Sequence, residues 1–106
     1  MNMKIEQPMI TEDIVQVLFQ NQFQDAEVKF GYVTIPAGER LPLEGTTVHE
    51  EHEYSFIIKG SLSGESGGNP YKIQAGEASY IPAGEYHWCV GGENDCELVY
   101  ALVKSK

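Results

Sequence analysis

The three histidines of this chain lie in two short segments that also carry acidic or turn-forming residues. The first segment, residues 49–53, reads HEEHE, and Gly60 follows after six further residues. The second, residues 76–87, has the spacing GxxxxxPxGxxH. Divalent transition metals are bound in proteins by imidazoles and carboxylates. The two segments therefore predict a metal site if the fold brings them together.

Size and composition limit the classes of protein to which the chain can belong. Its 106 residues are typical of one domain. A net charge of -9 disfavours binding to nucleic acid or to an anionic membrane surface. Residues 1–10 lack the apolar stretch of a signal peptide, and no apolar run is long enough to span a membrane. We therefore expect a cytoplasmic protein with reduced cysteines, although Cys89 and Cys96 could face each other across a hairpin.

Short apolar runs separated by glycine and proline predict a chain made almost entirely of β-strands. The segment 14–19 could instead form one or two helical turns, but its isoleucine and valine favour a strand. Residues 61–70 are rich in glycine and serine and are interpreted as a turn, and residues 91–95 as the tip of a hairpin. The predicted strands are 14–20, 27–35, 46–50, 54–60, 70–74, 77–81, 85–90 and 96–103.

One five-residue sequence occurs twice and predicts the same corner at two places. Residues 35–39 and residues 81–85 both read IPAGE. In each copy a strand ends at isoleucine, proline restricts the backbone, and glycine allows a conformation that other residues resist. Many short strands joined by such turns indicate an all-β sandwich or barrel, here a Greek-key barrel.

The alternation of side chains along a strand predicts which residues share a face. His87 and Cys89 point to one side of their strand, and Thr47 and His49 share a side of theirs. If both sides face the barrel interior, His49, Glu53 and His87 converge. A buried histidine or glutamate is costly without a partner, which favours metal binding over a barrel whose motifs survive only as turns.

Other residues are candidates for lesser roles at this site. His52 has the opposite parity to Glu53 and is expected at the surface, unless a turn before it swings the ring inward. Cys89 is interpreted as a small core residue and, less simply, as a soft metal ligand or a pocket-lining thiol. The aromatic residues of opposite parity are assigned to sheet packing or a dimer surface: Tyr54, Tyr86 and Trp88. The candidates for proton transfer are Glu44, Glu53, Tyr80 and Tyr86.

These motifs resemble those of the small single-domain cupins over about residues 30–103. Gly76, Pro82, Gly84 and His87 match the second cupin motif, whose usual final Asn is replaced here by Gly91. In the first motif, Glu53 and Gly60 keep the spacing and His49 takes the position of the second His. The position of the first His falls on Thr47 when counted from Glu53, and on Glu44 when counted from Gly38.

The resemblance implies a cupin-type double-stranded jelly roll, with residues 1–106 as one domain, 1–26 as an N-terminal arm or strand, and 27–103 as the barrel core. It also implies a homodimer. The implied site holds a divalent transition metal (Zn, Fe, Mn or Ni) on His49, Glu53 and His87, with Glu44, His52 or water as further candidates and Thr47 and Cys89 lining the pocket.

The implied function is to bind or act on a small polar metabolite such as a sugar, keto acid or related carbonyl compound. Isomerase, lyase and dioxygenase chemistries all occur in the superfamily, so enzyme status stays open. The alternatives are a binding module without chemistry and a vestigial barrel without activity.

Overall fold

The computed structural model describes residues 2–9 and 13–106, and within them the chain forms nine β-strands and no helix. Residues 1 and 10–12 of the predicted N-terminal arm lie outside the described residues. Among those that are described, no helix has the length and apolarity needed to cross a membrane. The strands are β1 (Val15–Gln22), β2 (Ala26–Ile35), β3 (Arg40–Leu41), β4 (His52–Lys59), β5 (Ser61–Ser66), β6 (Asn69–Gln74), β7 (Ala78–Ile81), β8 (His87–Gly91) and β9 (Cys96–Ser105).

The strands form two sheets, and every pairing between them is antiparallel. The larger sheet has the order β1-β2-β9-β4-β7, and the smaller has the order β3-β8-β5-β6. Consecutive strands β4 and β5, and again β8 and β9, lie in different sheets, so the chain repeatedly crosses between them. This arrangement is the predicted double-stranded jelly roll.

The inward faces of the two sheets follow the alternation of side chains. In β4 the odd-numbered Glu53, Ser55 and Ile57 are half-buried or buried, whereas Tyr54 and Phe56 are exposed. Burial of each large apolar side chain contributes roughly 1.5–3 kcal/mol. The buried apolar residues form one cluster between the sheets, which consists of Val33, Ile35, Ile57, Leu62, Ile73, Cys96, Leu98 and Tyr100.

Both copies of the repeated IPAGE sequence form the same turn. The amide of Glu39 donates to the carbonyl of Pro36 over 3.1 Å, and the amide of Glu85 donates to that of Pro82 over 3.2 Å. The intervening glycines have positive φ of 73° and 81°, which a residue with a Cβ adopts only with strain. Gly60 and Gly76 also lie at turns, with φ of 80° and 89°.

The interpretation of residues 61–70 as a turn is wrong, because this segment contains β5 and the start of β6. The turn itself is only Gly67 and Gly68, both with positive φ, as a two-residue hairpin loop requires. Position 64 of β5 is glycine because a Cβ there would lie 2.0 Å from the Trp88 carbonyl oxygen. Glycine in this segment therefore allows close strand approach and does not break the strand.

Two further boundaries differ from the prediction. Residues 46–50 form no strand; Thr47 makes an isolated bridge to His87, and the short strand β3 precedes it at that edge of the smaller sheet. The segment 91–95 is not a hairpin tip, because β8 pairs with β3 and β5 whereas β9 pairs with β2 and β4. It is a crossover between sheets, and both cysteines are free.

Candidate metal centre

Backbone hydrogen bonds hold the two histidine segments against each other. Thr47 and His87 exchange two bonds, from the Thr47 amide over 2.8 Å and from the His87 amide over 2.9 Å. The amide of Gly84 donates to the carbonyl of His49 over 2.9 Å. The turn that contains Gly84 is the second IPAGE copy, so its geometry determines where both imidazoles lie.

The structure brings His49, Glu53 and His87 together as one cluster at the mouth of the barrel. One potential ligand atom from each of these three residues lies within 4.8 Å of the other two. The Nε2 atom of His49 is 3.4 Å from a carboxylate oxygen of Glu53. The two imidazole rings meet edge to face, with centroids 5.2 Å apart and an angle of 75° between them. All three residues are half-buried, so the cluster remains open to small molecules.

Both imidazoles are oriented by hydrogen bonds at their other nitrogen. Nδ1 of His49 lies 2.9 Å from the carbonyl oxygen of Glu51, and Nδ1 of His87 lies 3.0 Å from that of Glu85. A carbonyl oxygen only accepts, so each Nδ1 must carry the proton. In the neutral rings Nε2 then keeps its lone pair. Metal-binding histidines almost always make this kind of second hydrogen bond.

The donor set fits a divalent transition metal. Two neutral imidazole nitrogens and one carboxylate are a common ligand combination for zinc and non-haem iron, and they leave coordination positions open. His49, Glu53 and His87 would be the ligands. Thr47, the backbone partner of His87, would lie beside a bound metal ion.

Two inward-facing residues near the cluster, Cys89 and Tyr71, have pKa values that are raised by burial and by the charge of Glu53. Burial raises the pKa of the Cys89 thiol to about 11, and the negative charge of Glu53 adds to this effect. Burial also raises the pKa of Tyr71, as do the charges of Cys89 and Glu53. The Tyr71 hydroxyl donates to the Trp88 carbonyl at 3.4 Å. The side chains of Cys89 and Tyr71 next to the cluster are therefore uncharged at neutral pH.

Some predicted site residues lie away from this cluster. His52 points to the outer face of the larger sheet, where its ring stacks on Tyr80 and its Nδ1 lies 2.7 Å from the Tyr80 hydroxyl. Glu44 is exposed in the segment between β3 and the Thr47 bridge. Tyr86 is 61% exposed. The structure therefore places neither His52 nor Glu44 among the clustered ligand atoms.

The other aromatic residues of opposite parity lie outside the barrel. Tyr54 contacts Tyr80 on the outer face of the larger sheet, with ring centroids 4.9 Å apart. The Arg40 guanidinium lies 4.4 Å from the centre of the Trp88 ring, a cation–π distance. A depression of about 490 Å³ near Tyr86, between the turns at 67–68 and 82–86, contains none of the clustered residues.

The sequence interpretation did not single out two inward-facing residues near the cluster, Tyr71 and Lys29. The register pairs Tyr71 with Gly64, and Gly64 with Cys89, on the inner face of the smaller sheet. It pairs Lys29 with Leu102, and Leu102 with Glu53, in the larger sheet. Strand alternation is a signal for both, since Lys29 shares parity with the apolar residues Val33 and Ile35.

Comparison with known proteins agrees with this fold. The family model described as "Cupin domain" matches residues 31–103, and the chain therefore belongs to the cupin domain family. No curated protein sequence matches the chain.

Solved structures from several organisms have this fold. A cupin 2 conserved barrel domain protein from Salinispora arenicola has a TM-score of 0.72 at 19% identity, covering 95% of this chain and 89% of its own. An RmlC-like cupin with a double-stranded β-helix fold from Methanocaldococcus jannaschii has a TM-score of 0.70 at 20% identity, covering 99% of this chain and 92% of its own. A predicted oxalate decarboxylase from Thermotoga maritima has 0.61 at 21% identity, covering 74% and 80%. At these identities the likeness shows the fold alone.

The position of Thr47 generates a test of the open coordination side. Thr47 is the backbone partner of His87, and paired residues project their side chains from the same face of a sheet. We expect Thr47→His to place a third imidazole at the cluster and to tighten zinc binding by about tenfold or more, roughly 1.4 kcal/mol. Competition against a chelator of known affinity measures this change. Thr46→His, one residue away and of opposite parity, is the control and should leave zinc affinity unchanged; equal affinities of Thr47→His and the parent would contradict the placement.

Proposed function

We propose that this chain binds a divalent transition metal through His49, Glu53 and His87 and uses it to bind or act on a small polar metabolite. The metal belongs to the group Zn, Fe, Mn and Ni, all of which accept imidazole and carboxylate ligands. The metabolite is a sugar, a keto acid or a related carbonyl compound. The observation that carries this proposal is the pair of oriented imidazoles, His49 just before β4 and His87 at the start of β8, with the carboxylate of Glu53 beside them.

The number of protein ligands supports a metal site that binds a small molecule over a purely structural metal site. A structural zinc site usually has four protein ligands, whereas catalytic sites keep a position for water or substrate. Here three side chains converge and Thr47 occupies the neighbouring position. When bound, a divalent metal supplies a Lewis acid that polarises an oxygen or lowers the pKa of water. Backbone carbonyls of the chain orient the two imidazoles, and the fold keeps all three candidate ligands half-buried.

Glu53 supports this role through its charge. It is the carboxylate of the cluster, and its side chain is 26% exposed. A half-buried carboxylate next to two neutral rings is stabilised by a cation, which is what the site would receive. The predicted oxalate decarboxylase from Thermotoga maritima is a reason to include small carboxylic acids among the candidate metabolites of this chain.

We also propose that two copies of the chain associate through the outer face of the larger sheet. The strand register places an apolar row across all five strands of this face, made of Phe19, Phe30, Ala101, Tyr54 and Tyr80. Phe56 lies in the next row and is 46% exposed. The charged pair Lys59 and Glu97 is matched across β4 and β9. On a chain of charge -9, a mainly apolar face whose one matched charge pair balances is where two copies repel each other least.

The metal is tested by elemental analysis of protein purified without added metal. We expect about one transition metal ion per chain in the parent, and loss of most of it in His49→Ala and in His87→Ala, because each change removes one coordinating nitrogen. His52→Ala is the matched control and should keep the metal, since His52 lies on the outer face with Tyr80. Metal content in both site variants equal to that of the parent would show that the cluster is not the site.

The choice between an enzyme and a binding module is tested on the metal-loaded protein with a panel of sugars, keto acids and related carbonyl compounds. Thermal shift reports binding, because a ligand at 100 times its dissociation constant stabilises by about 2.7 kcal/mol. Mass-detected turnover reports chemistry. We expect at least one compound to raise the unfolding temperature of the parent but not of His87→Ala. Stabilisation without turnover indicates a binding module, and neither signal indicates a vestigial barrel.

The homodimer is tested by light scattering across a range of protein concentrations. We expect the mass of two chains for the parent and of one chain for Phe56→Glu, because two carboxylates would be buried in the apolar interface. Tyr86→Glu introduces the same charge at an exposed aromatic residue outside this face and should remain dimeric. A parent protein that is monomeric at every concentration would exclude the association.

A further inference from the structure

A small depression opens beside the metal-ligand cluster, with a volume of about 80 Å³. It is adjacent to the cluster because Glu51 accepts the hydrogen bond of His49, and Leu102 is the strand partner of Glu53. A water molecule takes up roughly 30 Å³ of liquid volume, so the depression has room for a group of a few heavy atoms. It is lined by Glu27, Lys29, Glu51, Leu102 and Lys104.

Three of the residues near this depression form one row across neighbouring strands. Lys29 on β2 pairs with Leu102 on β9, and Leu102 pairs with Glu53 on β4. Residues paired in this way project from the same face of a sheet. Strands are spaced by about 4.8 Å, so Lys29 and Glu53 are separated by roughly 10 Å at the backbone. The row therefore runs from the ligand cluster over an apolar side chain to a cation.

The ammonium group of Lys29 is held only loosely. Its Nζ atom is 3.9 Å from a carboxylate oxygen of Glu51, and its side chain is 33% exposed. Direct bonds between an ammonium and a carboxylate are shorter, at about 2.7–2.9 Å. Lys29 therefore has donors left for a ligand. Lys104 lines the same depression and bonds Glu50 at 3.0 Å, so two of the seven basic residues of an acidic chain lie here.

We propose that Lys29 is a specificity-determining residue that binds the far carboxylate of a small dicarboxylate whose near carboxylate lies at the His49–Glu53–His87 cluster. This inference rests on the proposed function, because it requires a metal at the cluster. A four-carbon dicarboxylate has the chemistry of the row: an anion for the metal, methylene groups over Leu102, and a second anion for Lys29. Its methylene groups keep the two carboxylates apart, so that one can face the cluster while the other faces Lys29.

The test uses zinc-loaded protein and two probes, succinate and acetate, in isothermal titration calorimetry. Acetate offers a carboxylate to the metal alone, whereas succinate reaches both ends of the row. We expect the parent to bind succinate at least about tenfold more tightly than acetate, since a hydrogen bond to a charged group contributes this much. Lys29→Gln should bind succinate no more tightly than acetate, and its affinity for acetate should equal that of the parent. Lys29→Arg should recover part of the preference for succinate, and Lys72→Gln, on the exposed side of β6, should keep it.

A second variant separates ligand binding from an indirect effect on His49. Glu51→Gln removes the partner of Lys29 but keeps the backbone carbonyl that orients His49, so succinate affinity should be equal to or higher than that of the parent. Equal weakening in Lys29→Gln and Glu51→Gln would overturn the inference, as would a parent that binds succinate no better than acetate. Zinc content of each variant is measured first. Absence of zinc from the parent would overturn the proposed function itself, whereas full zinc with no effect of Lys29→Gln would overturn only the role of Lys29.

Discussion

The site of this protein depends on the backbone pairing between Thr47 and His87. These residues are distant in the sequence, yet they exchange two hydrogen bonds, and the bond from Gly84 to His49 adds a third. Backbone bonds of this kind have little freedom, so the two imidazoles approach each other without any direct bond between their side chains. The Gly84 turn has a positive φ of 81°, which ties this approach to a residue without a Cβ.

The polar candidate ligands and the apolar core occupy different parts of the barrel interior. The buried cluster around Ile57 and Leu98 supplies the apolar area on which the fold depends. Cys89 and Tyr71 pack against these buried residues, and burial raises the pKa of each further above neutral pH. The charge of Glu53 is thus confined to the mouth, where solvent, a cation or a ligand can compensate for it. A carboxylate deeper in the barrel would have no such compensation.

Much of the fold could be predicted from local sequence because local chemistry determined it. Alternation correctly placed His52 outside and Glu53 inside, and both IPAGE turns formed as expected. The errors have a common cause in tertiary context. Residues 61–66 contain glycine because β5 approaches β8 closely at Gly64, which no local pattern records. The segment 91–95 resembles a hairpin tip, but strand partners are chosen by the whole jelly roll and send β8 and β9 to different sheets.

The candidate ligands were predictable for a different reason from the residues around them. Histidine and glutamate in an otherwise apolar interior are chemically conspicuous, so type and spacing suffice to select His49, Glu53 and His87. Lys29 is not conspicuous in the same way, because a lysine in a strand is usually solvated. Its relation to Glu53 exists only through the register with Leu102, and register is a long-range property. The sequence thus identifies the atoms that could hold a metal, whereas the three-strand row identifies what else a ligand at that metal would touch.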